Sequence, residues 1–196
     1  MLDLENALLV GSGLHRLCYQ HPLDDRLCVK VVVAGNSDEN RREARYYTRL
    51  ADRGISWDLL ARFHGLVETS LGEGAVFDLV RDYDGDISRP LAQYLDAPTL
   101  AAWVGDVLPV ALSALGQYLL DNRVVTMTLK SKNILLQKRG AGEASLVLVD
   151  NVGNTDFIPL SHYSGLFGRM KIRRKWRRFE RDLRRQYPAH ANLLVD

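Results

Sequence analysis

The feature that most constrains the fold is a run of β-branched residues interrupted by one lysine. Residues 27–33, LCVKVVV, are almost continuously apolar, which predicts a strand buried on both faces. Lys30 lies inside this run, and a buried ammonium needs an anionic partner or loses its charge. The alternative is that the long side chain carries its ammonium out to solvent. The fold must therefore either accommodate a cation beside an inner strand or let that cation reach the surface.

A helix is predicted directly after this strand, over residues 38–53, with Gly54 at its exit. Glu43, Tyr47 and Leu50 recur at the spacing i, i+4, i+7, so they share the inward face. Glu43 is therefore a candidate partner for Lys30, because a strand lysine paired with a helix glutamate can fix the α- and β-phosphates of a nucleotide. The alternative is a solvated Glu43 that pairs with a nearby arginine.

Two shorter segments carry further candidate ligands. Gly11-Ser12-Gly13 lies between two strand-like segments, where backbone N–H groups can approach an anion closely; a plain hairpin turn is the alternative. Asn133 and Asp150 flank a predicted hairpin that could return both to one point, and their side-chain oxygens suit Mg²⁺. Taken singly, each of these two is also an ordinary turn or capping residue.

The order of predicted elements indicates an α+β fold in two parts. Residues 1–85 predict an antiparallel sheet with one helix, and residues 86–196 predict a mainly helical part that contains one hairpin. The boundary is expected near 82–86, DYDGD. The most apolar window, 100–120, predicts a buried core helix rather than a membrane span, because it contains Asp106 and Pro109.

Taken together, the candidate residues resemble the protein kinase fold in reduced form, with two lobes around one cleft: a sheet N-lobe and a truncated C-lobe. Residues 122–136, NRVVTMTLKSKNILL, stand where that fold has H-R-D-L-x-x-x-N, and Leu129, Lys130 and Asn133 match it. Asp150 begins DNVG where D-F-G is expected. The resemblance implies ATP and Mg²⁺ as cofactors, with Asn133 and Asp150 on the metal and Lys130 neutralising the γ-phosphate.

The same resemblance implies how the first part would hold the nucleotide. Lys30, paired with Glu43, would bind the phosphates, and the turn at 11–13 would cover them. Arg16 replaces the third glycine of the kinase loop and could reach a phosphate or obstruct one.

The chain departs from the kinase pattern at the catalytic aspartate, which is replaced by Thr128. A threonine hydroxyl is no general base near neutral pH, and loss of such a base typically costs about 10²- to 10⁴-fold in rate. Asp150 or a bound water would have to replace it. Only 46 residues follow Asp150, and no A-P-E sequence closes an activation segment. Two hypotheses stay open: a phosphotransferase of low activity on a small substrate, or an inactive pseudokinase that serves as a regulatory or scaffold module.

Several phrases together resemble the YrbL family of bacteria over about residues 8 to 180: GSGLHRLCY, RREARYY, HGLVET, DNRVVTMTLKSKNILL and DNVGN. That family is associated with the PhoP regulatory network, which implies a bacterial protein with a regulatory role. The phosphate acceptor or protein partner is left open by this resemblance.

Charge and cysteine usage complete the sequence-based expectations. Residues 169–185 hold ten Lys or Arg against Glu180 and Asp182, with Trp176, Phe179 and Leu183 on one helical stripe. This basic helix is either docked with a solvated outer face or a surface for an anionic membrane. The charge is accompanied by no motif that reads nucleic acid, which argues against a nucleic acid as the partner. Cys18 and Cys28, in a chain that begins without a signal peptide, indicate reduced thiols and a cytoplasmic location.

Overall fold

The structure is a computed structural model that describes residues 1–13, 15–34, 38–97, 101–153 and 165–193. The backbone divides into two compact units. The first unit comprises Met1–Trp57 and Ala61–Val80, and the second comprises Asp58–Leu60 and Arg81–Asp196. The first contains a five-stranded sheet and the second a three-stranded sheet.

The sheet of the first unit is antiparallel and has the order β1-β2-β3-β5-β4. Its strands are β1 (Leu9–Ser12), β2 (Arg16–Gln20), β3 (Leu27–Val32), β4 (Phe63–Thr69) and β5 (Gly72–Asp78). β3 is the central strand, and four consecutive residues, Cys28 to Val31, are buried. Burial on both faces explains why this strand is apolar on both faces, apart from Lys30, instead of alternating.

The two faces of this sheet are covered differently. On one face, Val29, Val31 and Val76 form a cluster with Leu4 of the N-terminal segment. On the other face, Phe77 contacts Tyr47 of helix α1 (Asp38–Asp52), edge to face with ring centroids 5.2 Å apart. The hydrophobic core of the first unit is thus split by the sheet, and residues of even number on β3 point toward the face that α1 covers.

The ends and the inner side of α1 follow from its sequence. Gly54 lies just beyond the helix with φ 61°, the left-handed conformation that commonly ends helices, and its N–H donates to Ala51 O at 2.9 Å. Glu43, Tyr47 and Leu50 are all buried, as their spacing predicts. One glycine in the sheet is required by packing, since a Cβ at Gly74 would lie 2.6 Å from Val29 Cγ1.

The second unit combines a small antiparallel sheet of order β6-β7-β8 with helices. Its described elements are β6 (Arg89–Pro90), α2 (Leu91–Leu95), α3 (Ala102–Asp121), a 3₁₀ turn (Ser131–Asn133), β7 (Ile134–Gly140), β8 (Glu143–Leu148), α4 (Gly165–Gln186) and a second 3₁₀ segment (Pro188–Leu193). α3 contacts both β8 and α4. A Cβ at Gly116 of α3 would lie 2.9 Å from Trp176 Cε2, so the two helices approach closely at this glycine.

The α+β class, the antiparallel sheet and the helices of the C-terminal half are confirmed. The last strand of the first sheet, β5, ends at Asp78. The core helix predicted over 100–120 is the continuous helix α3, which contains Pro109. Residue 100 of that window lies outside the described residues. By length and composition α3 is long and apolar enough to cross a membrane, and its buried residues include Leu108 and Leu115.

Candidate functional site

In the first unit, Lys30 is an inward-facing cation on the central strand. It lies opposite Cys18 of β2 and Ala75 of β5, and only 8% of the residue is exposed. Its Nζ lies 4.3 Å from the centroid of the Phe77 ring, a cation–π contact with a side chain that is itself fully buried. The lysine therefore remains within the unit, and the alternative of an ammonium in open solvent does not hold.

The carboxylate of Glu43 forms its ion pair with Arg16 and not with Lys30. Arg16 Nη1 donates to Glu43 Oε2, and the two side chains are 15% and 6% exposed. The predicted pairing of Glu43 with Lys30 is therefore replaced by a pairing with an arginine from β2, but the glutamate is buried rather than solvated. Among the described residues, Glu43 Oε1 has no hydrogen-bond partner.

Strand register explains why these charges share one side of the sheet. Arg16 lies opposite Val32, and Cys18 lies opposite Lys30, so both charged residues point to the face that α1 covers. Sequence reasoning named Arg16 for its position in the loop and missed this pairing, because no local pattern relates residue 16 to residue 43. Lys30, Arg16 and the carboxylate of Glu43 thus lie on the same covered face.

The two cysteines lie on this same face. Cys28 is opposite Gln20, two residues along from the Cys18–Lys30 pair. A hydrogen bond with the Cys18 sulfur, together with burial, holds the pKa of the Cys28 thiol well above its ordinary value. Both cysteines are free thiols in the structure, as expected, and Cys28 behaves as a small buried hydrophobe.

The glycine segment is part of the first hairpin. Gly11 and Ser12 close β1, and Gly13 N donates to Arg16 O at 2.8 Å across the turn. A Cβ at Gly13 would lie 3.3 Å from Arg16 O, so the backbone is close there, whereas Gly11 has room for a side chain. This is hairpin geometry, and a role in covering phosphates stays a prediction.

In the second unit, the loop that follows α3 is held against the segment after β8. Val124 and Val125 are buried, and Thr126 bridges to Val152. Met127 N donates to Asn151 O at 2.7 Å. Thr128 and Lys130, by contrast, are exposed. The apolar pair Val124 and Val125 therefore anchors the loop. The side chain of Thr128, at the position of the catalytic aspartate in the kinase pattern, and that of Lys130 reach solvent.

The hairpin β7–β8 returns the chain to Asn133. Val149 N donates to Asn133 O at 3.0 Å, which places the backbone of Asp150 one residue from a direct contact with Asn133. Asn133 is 7% exposed, and its Nδ2 has no hydrogen-bond partner among the described residues. Asn151 follows with φ 60°, a left-handed conformation that asparagine tolerates and that redirects the chain after Asp150.

Helix α4 and the residue that follows it support this loop through two side chains, Lys175 and Tyr187, that sequence reasoning did not single out. Lys175 Nζ donates to Met127 O, and Tyr187 Oη lies 3.4 Å from Ser131 Oγ. Burial raises the pKa of Tyr187 above its ordinary value. Lys175 lies within the basic run, and nothing in the sequence distinguishes it from neighbours that reach solvent.

Within the described ranges, no group of three His, Cys, Asp or Glu side chains is arranged as a metal site. Asn133 and Asp150 would supply two oxygen ligands, and Mg²⁺ commonly completes its shell with water and substrate phosphates.

Comparison with known proteins identifies the family. Residues 2–184 match the family described as PhoP regulatory network protein YrbL. Two curated relatives, from Escherichia coli (strain K12) and Shigella flexneri, are each named "Uncharacterized protein YrbL". Each is 37% identical over 182 residues, covering 91% of this chain and 86% of the relative. The chain belongs to the YrbL family.

Proposed function

We propose that this protein is a kinase-like protein that binds ATP with Mg²⁺. The observation that carries the proposal is the return of the β7–β8 hairpin to Asn133, because Val149 N donates to Asn133 O and Asp150, the second candidate oxygen ligand, follows directly after Val149. A buried amide donor without a partner costs about 1–3 kcal/mol, so the Nδ2 of Asn133, which has no partner among the described residues, favours a hydrogen-bond acceptor such as a phosphate oxygen at this point.

The first unit supports the proposal through the residues on one face of its sheet. Lys30 and Arg16 point to the same covered face as the buried carboxylate of Glu43, whose Oε1 accepts no hydrogen bond from the described residues. In the proposed function Lys30 binds the α- and β-phosphates, and Arg16 holds Glu43 in place. Asn133 and Asp150 bind the metal, and Lys130 offsets charge on the γ-phosphate. Mg²⁺ supplies charge neutralisation between the phosphates.

The test of binding is a thermal unfolding experiment with Mg²⁺ and ATP. At a ligand concentration 100 times Kd, binding stabilises the folded state by about 2.7 kcal/mol, which raises Tm by roughly 5–10 °C in a chain of this size. Asp150→Asn and Lys30→Met should lose this rise. Asp106→Asn, at an exposed position of α3, is the matched control and should keep it. An unchanged Tm of the wild-type protein at millimolar Mg²⁺-ATP contradicts the proposal.

A pseudokinase is the second candidate, and Thr128 is the observation that favours it. Its hydroxyl stands at the position of the general base and cannot accept a proton near neutral pH. Release of labelled γ-phosphate distinguishes the two candidates. Turnover that is lost in Asp150→Ala indicates a slow enzyme, whereas nucleotide binding without turnover indicates a regulatory or scaffold module.

A further inference from the structure

Helix α4 displays a one-sided array of arginines, which we call the arginine face. Its members share exposure to solvent: Arg169, Arg173, Arg174, Arg177, Arg178, Arg181 and Arg185. Asp182 is the one exposed acid on the described part of this helix. The face therefore concentrates positive charge on a chain whose remaining residues carry more acidic than basic side chains.

The opposite side of α4 fixes the orientation of this face. Ile172, Phe179 and Leu183 are each at most 3% exposed. Trp176 fits against Gly116 of α3, and its Nε1 donates to Glu180 Oε1 at 2.6 Å. These contacts prevent the helix from rotating to bring its arginines toward the acids of the second unit. Packing of the apolar side of α4 therefore keeps the arginine face exposed to solvent.

Most of the arginine face lacks acidic partners. Arg178 lies 3.7 Å from Asp182 and Arg169 lies 3.6 Å from Asp121. The other five members form no ion pair with any residue in the part of the chain that the structure describes. Four of them recur every fourth residue in a row about 18 Å long, where like charges repel. If these side chains served only solubility, basic and acidic residues would both occur along such a row.

The chemistry of the side chains selects the partner. A guanidinium presents a planar fork that matches phosphate oxygens, so an all-arginine face suits phosphates better than single point charges would. None of the exposed side chains described on α4 is aromatic, which removes the base-stacking platform that single-stranded nucleic acids use. Met170, 56% exposed at the start of the face, adds an apolar side chain suited to a headgroup boundary.

We propose that the arginine face of α4 docks the protein on an anionic phospholipid surface. The helix lies along the bilayer, and lipids diffuse laterally until phosphates meet the guanidinium groups, so no fixed spacing of the partner is needed. Each basic residue near such a surface strengthens binding by about 1 kcal/mol, or about fivefold. This proposal is independent of nucleotide binding and survives if that function fails.

The test is co-sedimentation of the full chain with phosphatidylglycerol vesicles and with phosphatidylcholine vesicles. We expect binding to the anionic vesicles alone, weakening as salt rises from 50 to 300 mM because screening shortens the electrostatic range. The triple variant Arg173→Gln, Arg177→Gln, Arg181→Gln should lower the partition constant roughly 100-fold. The matched control, Arg42→Gln, Arg45→Gln, Arg49→Gln, removes equal charge from the exposed side of α1 and should stay within a few-fold of wild type.

A second variant set protects the test against misfolding. The triple variant Arg173→Lys, Arg177→Lys, Arg181→Lys keeps the charge and should retain most of the binding to anionic vesicles. The proposal is overturned by equal binding to neutral vesicles, by equal losses in the two glutamine triples, or by no sedimentation at low salt. Tighter binding to duplex DNA, RNA or an acidic peptide than to vesicles at the same ionic strength also overturns it, and assigns the face to that partner.

Discussion

At the scale of single residues, the buried carboxylate of Glu43 depends on Arg16. A buried ion pair contributes little net stability, but removal of one partner leaves an uncompensated charge. Arg16→Met should therefore lower the free energy of unfolding by about 2–3 kcal/mol in urea denaturation. Arg41→Met removes the exposed pair with Glu73 and should change it by less than about 1 kcal/mol.

A double variant provides the measurement that could contradict this prediction. Arg16→Met with Glu43→Leu removes both charges and should recover most of the lost stability, because no buried carboxylate remains unpaired. If the double variant is as unstable as the single one, the loss reflects packing and not charge.

Thr128 provides a test of catalysis at the same scale. Its side chain is exposed, so a carboxylate fits there without a burial cost. If the protein transfers phosphate, Thr128→Asp restores the general base and should raise γ-phosphate release by about 10²-fold or more. Thr128→Asn, of similar size but without basicity, should leave the rate near wild type. Equal rates of γ-phosphate release in the two variants would show that the lack of a general base at residue 128 does not limit the reaction.

At the scale of secondary-structure elements, α3 carries two glycines with opposite roles. A Cβ at Gly105 would meet only the end of the Leu193 side chain at 3.6 Å, whereas a Cβ at Gly116 would lie 2.9 Å from the Trp176 ring. Gly105→Ala should therefore stabilise the helix by up to about 1 kcal/mol, and Gly116→Ala should destabilise the protein by about 1–3 kcal/mol.

Both variants gain the same helix propensity, so the difference between them isolates the contact between α3 and α4. Denaturant unfolding followed by circular dichroism measures the stabilities of the two variants. Equal stabilities would show that α4 can shift away from α3 at little cost.

At the scale of the whole molecule, a buried tyrosine makes the free energy of unfolding fall at alkaline pH. Burial, with a smaller contribution from the charge of Asp58, raises the pKa of Tyr118 far above its ordinary value of 10.0. The folded state then keeps its proton while the unfolded state loses it, so stability is complete below pH 10 and falls as the pH rises further. One such group contributes a slope of up to about 1.4 kcal/mol per pH unit.

Tyr118→Phe should therefore flatten the decline of Tm measured between pH 9 and 11. Tyr83→Phe is the matched control, because this tyrosine is 63% exposed and should leave the slope unchanged. An identical decline in both variants would mean that other groups cause the alkaline loss.

The sequence by itself determined the main elements and the family. The β-branched run around Lys30 predicted a buried strand, the spacing of Glu43 and Tyr47 predicted the inner face of α1, and a set of short phrases predicted the family. These features are local, because hydrophobic periodicity, turn-forming residues and short motifs each depend on a few neighbouring residues.

Only the tertiary structure decided which distant side chains meet. The pairing of Arg16 with Glu43, the contact of Lys30 with Phe77 and the hydrogen bond of Lys175 to Met127 O all join residues far apart in the chain. Several arginines lie close to Glu43 in sequence, but Arg16 of β2 is the one that pairs with it. The register of β2 decides this pairing, because a shift of one residue would turn every side chain of the strand to the opposite face. Packing of α4 likewise decided which of its cations point to solvent, since all of them look alike in the sequence.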